Sequence, residues 1–333
     1  MDVFALETWY LNNKRELSFR HTHDPYKIWI SEIMLQQTQV DTVIPYYDRF
    51  VKRFSRVELL ASADIDEVLK MVEGIGYYRR FRLMHRAAKM IVDKFNGIFP
   101  NSYDEVRKLP GIGAYTAGAI MSIAYGKPYS AVDGNVIRVL TRYLGDDRDM
   151  RKDTYKQSLD RINQSYIEKA NPLIYTHAMM ELGAIVCKKN NPLCEKCPLA
   201  EHCVAYHEGR QTEFPVLSKL SKPQEFQFIT LVMQKDNHIV LRKRDEKLLE
   251  GMYAYPQYAY ESIYALIDDL HDKGIYIEVD ENKKMYKHVF SHQIWYMDVY
   301  HAHLISGTED DWLMIAKDKI HDVPMAVAHR KII

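Results

Sequence analysis

Apolar residues recur at helical spacing through three segments of the first half of this chain and alternate in twos through much of the second. DPYKIWISEIMLQQTQ, residues 24 to 39, reads as a capped helix, with Asp24 as N-cap, Pro25 in the first turn and an apolar face that includes Ile28 and Leu35. Residues 102 to 125 read as helix, glycine hairpin, helix. Ser102 and Glu105 form a capping-box signature, Pro110-Gly111-Ile112-Gly113 makes the turn, and Ala117, Ile120, Met121 and Ala124 are expected to face a core. A third helix, GNVIRVLTRYL, opens at Asp133. Residues 204 to 225, with two prolines, mixed charge and little periodicity, read as a linker. Beyond it FQFITLVMQKDNHIVLRKR predicts two strands joined by a turn at Asp236-Asn237, a helix follows near 261 to 272, and HVFSHQIWYMDVYHAHL predicts paired strands. The pattern predicts a mainly α first half and a smaller α+β module after it.

A chain of 333 residues with 47% apolar side chains has material for two or three cores. No apolar run is long enough to span a bilayer, and charges interrupt the N-terminal apolar residues too often for a secretion signal. A soluble protein of the cytoplasm or nucleoid is expected. Basic and acidic residues balance at 45 each, so binding to nucleic acid would come from local placement of charge and not from a bulk field. One such placement is Arg79, Arg80, Arg82, Arg86 and Lys89, which follow Gly74-Ile75-Gly76 and two tyrosines; a solvated helix face is the bland alternative.

The cysteines, Cys187, Cys194, Cys197 and Cys203, are separated by six, two and five residues. Four thiols this compact in a reducing compartment read as metal ligands and not as disulfides. Structural zinc sites are mostly built from two short C-x2-C pairs, whereas this pattern has one pair flanked by single cysteines, which favours an iron–sulfur cube over zinc. Pro192 and Pro198 are expected to hold the loop extended between ligands, with Lys188, Lys189 and Lys196 beside it where they would meet phosphate. Gly111 and Gly113 are expected to take backbone angles closed to other residues and to let a phosphate approach amides at a helix N-terminus, although a plain αα-hairpin would use the same glycines. Glu32, on an apolar helix face, is either an acid of raised pKa or a misread surface residue. Asp133, taken by itself, is an ordinary N-cap.

Together LPGIGAYTAGAI, VDGNV and the C-x6-C-x2-C-x5-C loop resemble the endonuclease III superfamily of helix-hairpin-helix DNA glycosylases, from about residue 5 to 210. SEIMLQQTQV around Glu32 resembles the MutY-type adenine DNA glycosylases. The resemblance implies a catalytic region over residues 1–213, made of a six-helix part (about 23–129) and an iron–sulfur part (about 1–22 and 130–213), with a 4Fe-4S cluster on the four cysteines. A linker at 214–225 would follow. The resemblance also implies extrusion of a base from double-stranded DNA. Glu32 would protonate adenine, at N7, and Asp133 would steady the oxocarbenium-like sugar or join it transiently, with Asn135 near the catalytic water. Arg15, Arg20, Leu35, Val40 and Glu181 fall where the family lines the adenine pocket, and Gln37, Thr38 and Tyr77 on residues that enter the duplex or touch the opposite base. The family often has Pro-Trp before the second arginine; Ser18-Phe19 stands here, so Phe19 would stack with less area and no indole donor. Glycosylases that also cut the strand resemble LPGxGxKTA, whose lysine attacks the sugar. Tyr115 occupies that place, which implies base removal without an efficient lyase step and a tyrosine that shields or orients the nucleotide.

Residues 226–333 resemble a Nudix fold, yet ESIYALIDDLHDKG lacks the run of glutamates with an arginine that holds magnesium, so recognition without hydrolysis is implied. Phe290-Ser291-His292 matches the loop with which MutY-type proteins meet 8-oxoguanine, Ser291 bonding the oxidised edge and its neighbours supporting the loop. Tyr253, Tyr255, Tyr258 and Tyr260 are expected in the core and on the sheet face. The expected whole is a monomeric glycosylase, without membrane contact, acting on adenine paired with 8-oxoguanine or guanine. The alternatives are a pyrimidine-lesion glycosylase with lyase activity and a non-catalytic DNA-binding iron–sulfur protein.

Overall fold

The structure, a computed structural model, describes residues 1–332. Helices α1 (Val3–Asn13), α2 (Pro25–Leu35), α3 (Val40–Arg53), α4 (Val57–Ser62), α5 (Ile65–Met71), α6 (Arg79–Phe95), α7 (Tyr103–Lys108), α8 (Ala114–Tyr125), α9 (Gly134–Leu144), α10 (Asp153–Ile167), α11 (Pro172–Ile185) and α12 (Val204–His207) come first. Then follow β1 (Gln224–Lys235), β2 (His238–Lys243), β3 (Tyr253–Ala254), β4 (Gln257–Tyr258), α13 (Ile263–Asp272), β5 (Tyr276–Val279), β6 (Lys284–Val289), β7 (Gln293–Ser306), β8 (Trp312–Ala316) and α14 (Val327–Arg330). They fall into two compact units, Met1–Ser62 with Leu83–Lys219, and Ala63–Arg82 with the chain from Leu220 onward. Among the described residues no helix is long and apolar enough to cross a membrane.

The first unit is helical. The Asp24 carboxylate accepts the amide of Tyr26 at 2.9 Å and Pro25 starts α2, as the residue order dictates. From Ile28 to Met34 every residue of α2 is buried, so this is an interior helix and not an amphipathic one. α8 is buried in the same way from Thr116 to Ile123. Ser102 accepts the Glu105 amide at 3.3 Å and donates its hydroxyl to the Glu105 carboxylate at 2.9 Å, so Ser102 caps α7 with the Glu105 side chain folded back onto the cap. A second cluster, including Leu6, Tyr10, Val139, Leu140, Tyr175, Met179 and Leu182, joins α1, α9 and α11; each such side chain contributes about 1.5–3 kcal/mol by leaving water.

Two glycines fix the approach of these helices. Gly111 has φ of +81°, and a Cβ there would lie 2.8 Å from Cβ of Leu83, so both conformation and space demand glycine. A Cβ on Gly118 would lie 1.9 Å from the Ser130 carbonyl oxygen, so its absence lets α8 press against the backbone that leads into Asp133. Gly113 corrects the expectation made for it: its φ of −84° is open to any residue and nothing lies within 4 Å of a Cβ built there. The linker expectation also shrinks. Residues 204–207 form α12 and 211–213 a 3-10 turn through local main-chain bonds, and β1 already starts at Gln224, whose amide donates to the distant His292 carbonyl.

In the second unit one eight-stranded sheet runs β3-β2-β1-β7-β5, with β4 paired to β1, β6 to β7 and β8 to β2. β1 and β7 are parallel along eleven residue pairs from Gln224↔Gln293 to Gln234↔His303, and the other pairs are antiparallel. Both faces of β7 are buried by alternation: Trp295, Met297 and Val299 on one side, Tyr300, Ala302 and Leu304 on the other. The second face packs on Ile263, Leu266 and Leu270 of α13, whose N-cap is Ser262. Of the tyrosines expected in core and sheet, Tyr255 is 1% exposed and Tyr258 and Tyr260 pack against the α13 face. The basic run after Gly76 is only partly a solvated face. Arg79 is exposed, but Arg80 is buried, its pKa lowered to about 10 by desolvation, and Arg82 is largely covered beside Glu250.

Candidate active site

α2, α8, α11 and the start of α9 wall a cavity of about 990 Å³, room enough for a nucleoside. The lining gathers fourteen of the eighteen positions that the sequence nominated for catalysis, the adenine pocket and the DNA: Glu32, Tyr115, Asp133, Asn135, Arg15, Phe19, Arg20, Leu35, Val40, Glu181, Gln37, Thr38, Gly111 and Gly113 are all there, with Tyr77, Phe290, Ser291 and His292 elsewhere.

 

Glu32 projects from α2 at 6% exposure, and the phenol of Tyr115, from the first turn of α8, donates to its Oε2 at 2.5 Å. Burial pushes the Glu32 carboxyl up to about 7; the charge of Asp133 adds to the rise, while the Tyr115 bond and Arg20 oppose it. Tyr115 itself is held well above the usual phenol range by burial and the two carboxylates, so it stays a donor. Asp133 is at once the N-cap of α9 and a wall of the cavity: Oδ1 accepts the Val136 amide at 2.7 Å and Oδ2 accepts Asn135 Nδ2 at 2.9 Å. Burial raises its pKa, and those N–H donors with the Arg138 charge pull the other way. Arg138 in turn donates to Asn135 Oδ1 at 2.8 Å and to the carbonyls of Gly183 and Cys187, each at 2.8 Å. A Cβ on Gly183 would sit 2.6 Å from that of Asn135, so α11 and α9 meet at this point.

Glu181, with no exposed side-chain surface, accepts Arg15 Nε at 2.8 Å, Arg15 Nη2 at 2.9 Å, the Arg15 amide at 2.9 Å and Arg20 Nη2 at 2.7 Å. Burial works to raise its pKa, but the arginine bonds outweigh it and hold the carboxylate down to about 2. Its oxygens are thus spent on two arginines, leaving Arg20 Nε and Nη1 without a protein partner. Phe19 is 7% exposed and meets Tyr47 edge-on at 5.9 Å. Among the cavity residues that escaped sequence reasoning is a histidine. His177 stands one helical turn before Glu181, and burial, with Arg20 nearby, lowers its pKa to about 3, so it is a neutral imidazole. Its i, i+4 spacing to Glu181 was the available signal.

The remaining four positions belong to the second unit. Tyr77 is 48% exposed with φ of +50°, and Gln37, in the cavity rim, shares that rare sign at +57°. Phe290, Ser291 and His292 form the turn between β6 and β7, closed by the Phe290 amide donating to the Gln293 carbonyl at 2.8 Å. Phe290 packs on Trp295 at 4.8 Å, while Ser291 and His292 are exposed.

The four cysteines line one apolar-walled cavity with Val139, Leu182, Leu199, Arg142 and Tyr206. Among the described residues no group of three or more His, Cys, Asp or Glu is placed to hold a metal ion. The loop is not extended throughout: Cys194–Lys196 and Ala200–His202 coil as 3-10 turns, each closed by a bond to the carbonyl three residues back, and Pro198 sits in a turn, whereas Pro192 stands outside any turn or helix.

Residues 30–164 match the HhH-GPD superfamily of base excision DNA repair proteins, and residues 228–333 match the NUDIX domain. An adenine DNA glycosylase of Buchnera aphidicola subsp. Baizongia pistaciae is 38% identical over 259 residues, covering 75% of this chain and 72% of its own. Another, of Buchnera aphidicola subsp. Acyrthosiphon pisum, is 32% identical over 295 residues, covering 88% and 84%. Among solved structures, a thermostable thymine-DNA glycosylase superposes with a TM-score of 0.57 at 28% identity over 62% of this chain and 95% of that chain. With its helical HhH-GPD fold followed by a Nudix-like α+β domain, the chain belongs to the adenine DNA glycosylase family of base-excision repair enzymes.

Proposed function

We propose that this enzyme hydrolyses the N-glycosidic bond of adenine paired with 8-oxoguanine, or less readily guanine, in double-stranded DNA, and stops at the abasic site. The observation that carries the reading is Glu32, a buried carboxyl titrating at about 7 in the same cavity as Asp133. Adenine leaves poorly as an anion. Proton transfer from the Glu32 carboxyl to N7 lets the bond from C1′ to N9 break with its electron pair going to a neutral purine, an effect worth about 10²–10⁴ in rate. The cation left on the sugar faces the Asp133 carboxylate, which the Val136 amide and Asn135 hold in its charged form. Water then adds to C1′ and returns a proton to Glu32.

Leu35 and Val40 supply apolar walls for the purine, and the unpaired N–H groups of Arg20 with the neutral His177 supply polar contacts at its edge. No lysine lines the cavity, which supports hydrolysis without an amine nucleophile. The positive φ of Gln37 and Tyr77 is strain of the sort that gathers at functional positions, and suits side chains that enter the duplex with Thr38 beside them. Exposed Ser291 and His292, propped by Phe290, suit contact with the oxidised base. The backbone amides at Gly111 and Gly113 would take a phosphate.

The cysteines fit a 4Fe-4S cluster: four sulfur donors share one apolar-walled cavity with a buried arginine that meets no carboxylate among the described residues. When bound, the cluster would brace the loop that carries the exposed Lys188, Lys189 and Lys196. We place the protein as a monomer on cytoplasmic or nucleoid DNA, with residues 1–213 catalytic and 226–333 reading the opposite base.

The test is a duplex oligonucleotide holding one adenine:8-oxoguanine mispair. Strand scission should appear only after alkali, and borohydride should trap no covalent adduct. Scission without alkali together with a trapped adduct would establish a lyase, and binding without turnover would establish a non-catalytic protein; either outcome removes this proposal.

A further inference from the structure

One buried arginine takes no part in the excision described above. Arg142, on the inner face of α9, is 2% exposed and among the largest fully buried side chains. A guanidinium in such a place is costly unless its N–H groups and its charge are both met. Four of its five N–H groups are accounted for: Nε donates to the Phe214 carbonyl at 3.3 Å, Nη1 to the Lys188 carbonyl at 2.7 Å and to Cys187 Sγ at 3.4 Å, and Nη2 to the Lys189 carbonyl at 3.0 Å. The charge is not met by any carboxylate among the described residues, in contrast to Arg15 and Arg20, which share Glu181. What surrounds Arg142 instead is the cavity of the four cysteines.

We propose that Arg142 is a positioning residue for the iron–sulfur group, supplying the buried positive charge that offsets the thiolates and clasping the loop at residues 188, 189 and 214. The inference rests on the reading that the cysteines hold a 4Fe-4S cluster. An N–H donated to a ligand sulfur, and a cation beside it, favour the more negative oxidation state of a cluster and so raise its midpoint potential. The three carbonyl bonds act separately, by tying the chain just after the first ligand, Cys187, to the chain beyond the last, Cys203.

The two effects separate in two variants of the full-length protein, Arg142→Met and Arg142→Lys. Iron and sulfide content, the rate at which the visible absorbance is lost to an iron chelator, and the midpoint potential at a DNA-free electrode are measured. Arg142→Met should lose its cluster at least tenfold faster and shift to a more negative potential. Arg142→Lys, which keeps the charge but not the fork, should lose it faster than wild type while staying closer to the wild-type potential. Wild-type retention and potential in Arg142→Met would overturn the proposal. Faster loss in both variants with no change of potential would overturn the electrostatic role. If Arg142→Met does not fold, Arg142→Lys with a wild-type loss rate overturns the clasp. A wild-type protein that takes up zinc and no sulfide would instead refute the cluster reading on which the inference rests.

Discussion

Replacing Glu32 by glutamine probes the site's electrostatics through stability as well as activity. Burial moves this carboxyl from 4.5 to about 7, so between those values the folded chain keeps a proton that the unfolded chain has released. Folding therefore becomes less favourable as pH rises through that window, and the loss is complete above about 7. At 1.36 kcal/mol per pKa unit the full penalty is about 3 kcal/mol, of which about 1.4 is already felt at pH 5.5. Glutamine has nearly the same shape and no charge to desolvate, so the Glu32→Gln protein should gain on wild type by about 2 kcal/mol between pH 5.5 and pH 8. Urea unfolding of both proteins at the two pH values measures that widening, and the same preparations should show excision reduced by about 10²–10⁴. Stability curves that run parallel from pH 5.5 to 8 would refute a carboxyl held protonated by burial. Unchanged excision would remove Glu32 from the chemistry.

The remaining expectations concern its neighbours. Tyr115→Phe deletes the bond that holds the Glu32 pKa down, so the alkaline fall in the single-turnover excision rate should move to higher pH. Asn135→Ala removes one donor from Asp133 and the link to Arg138; the Asp133 pKa should rise, the acidic limb of the same profile should move to higher pH, and the plateau should drop by about tenfold or more, as for a lost bond to a charged group. Gly118→Ala places a methyl 1.9 Å from the Ser130 carbonyl, and the required backbone shift should cost about 3 kcal/mol in urea unfolding.

Much of the local structure was legible in residue order. The caps at Asp24 and Ser102, the hairpin glycine at 111 and the turn at Asp236-Asn237 each depend on groups a few residues apart, and they form as that order predicts. The motif around Glu32, the string at the hairpin and the cysteine spacing also nominated residues that the fold then brings to two cavities. Gly113 and Pro198 show the limit of such reading, because a residue that permits a conformation does not require it.

What the chain order left open was settled by partners distant along the chain. Whether Glu32 was an acid or a surface residue turned on α8 packing against α2, and whether Arg80 was solvated turned on burial of a run that looks uniformly basic. Glu181 meets Arg15 across 166 residues, and Arg142 meets the Phe214 carbonyl across 72. Hydrogen bonds within a turn are encoded by neighbours, whereas desolvation and charge pairing depend on everything that packs around a group; residue types named the actors, and only the tertiary structure set their protonation and their partners.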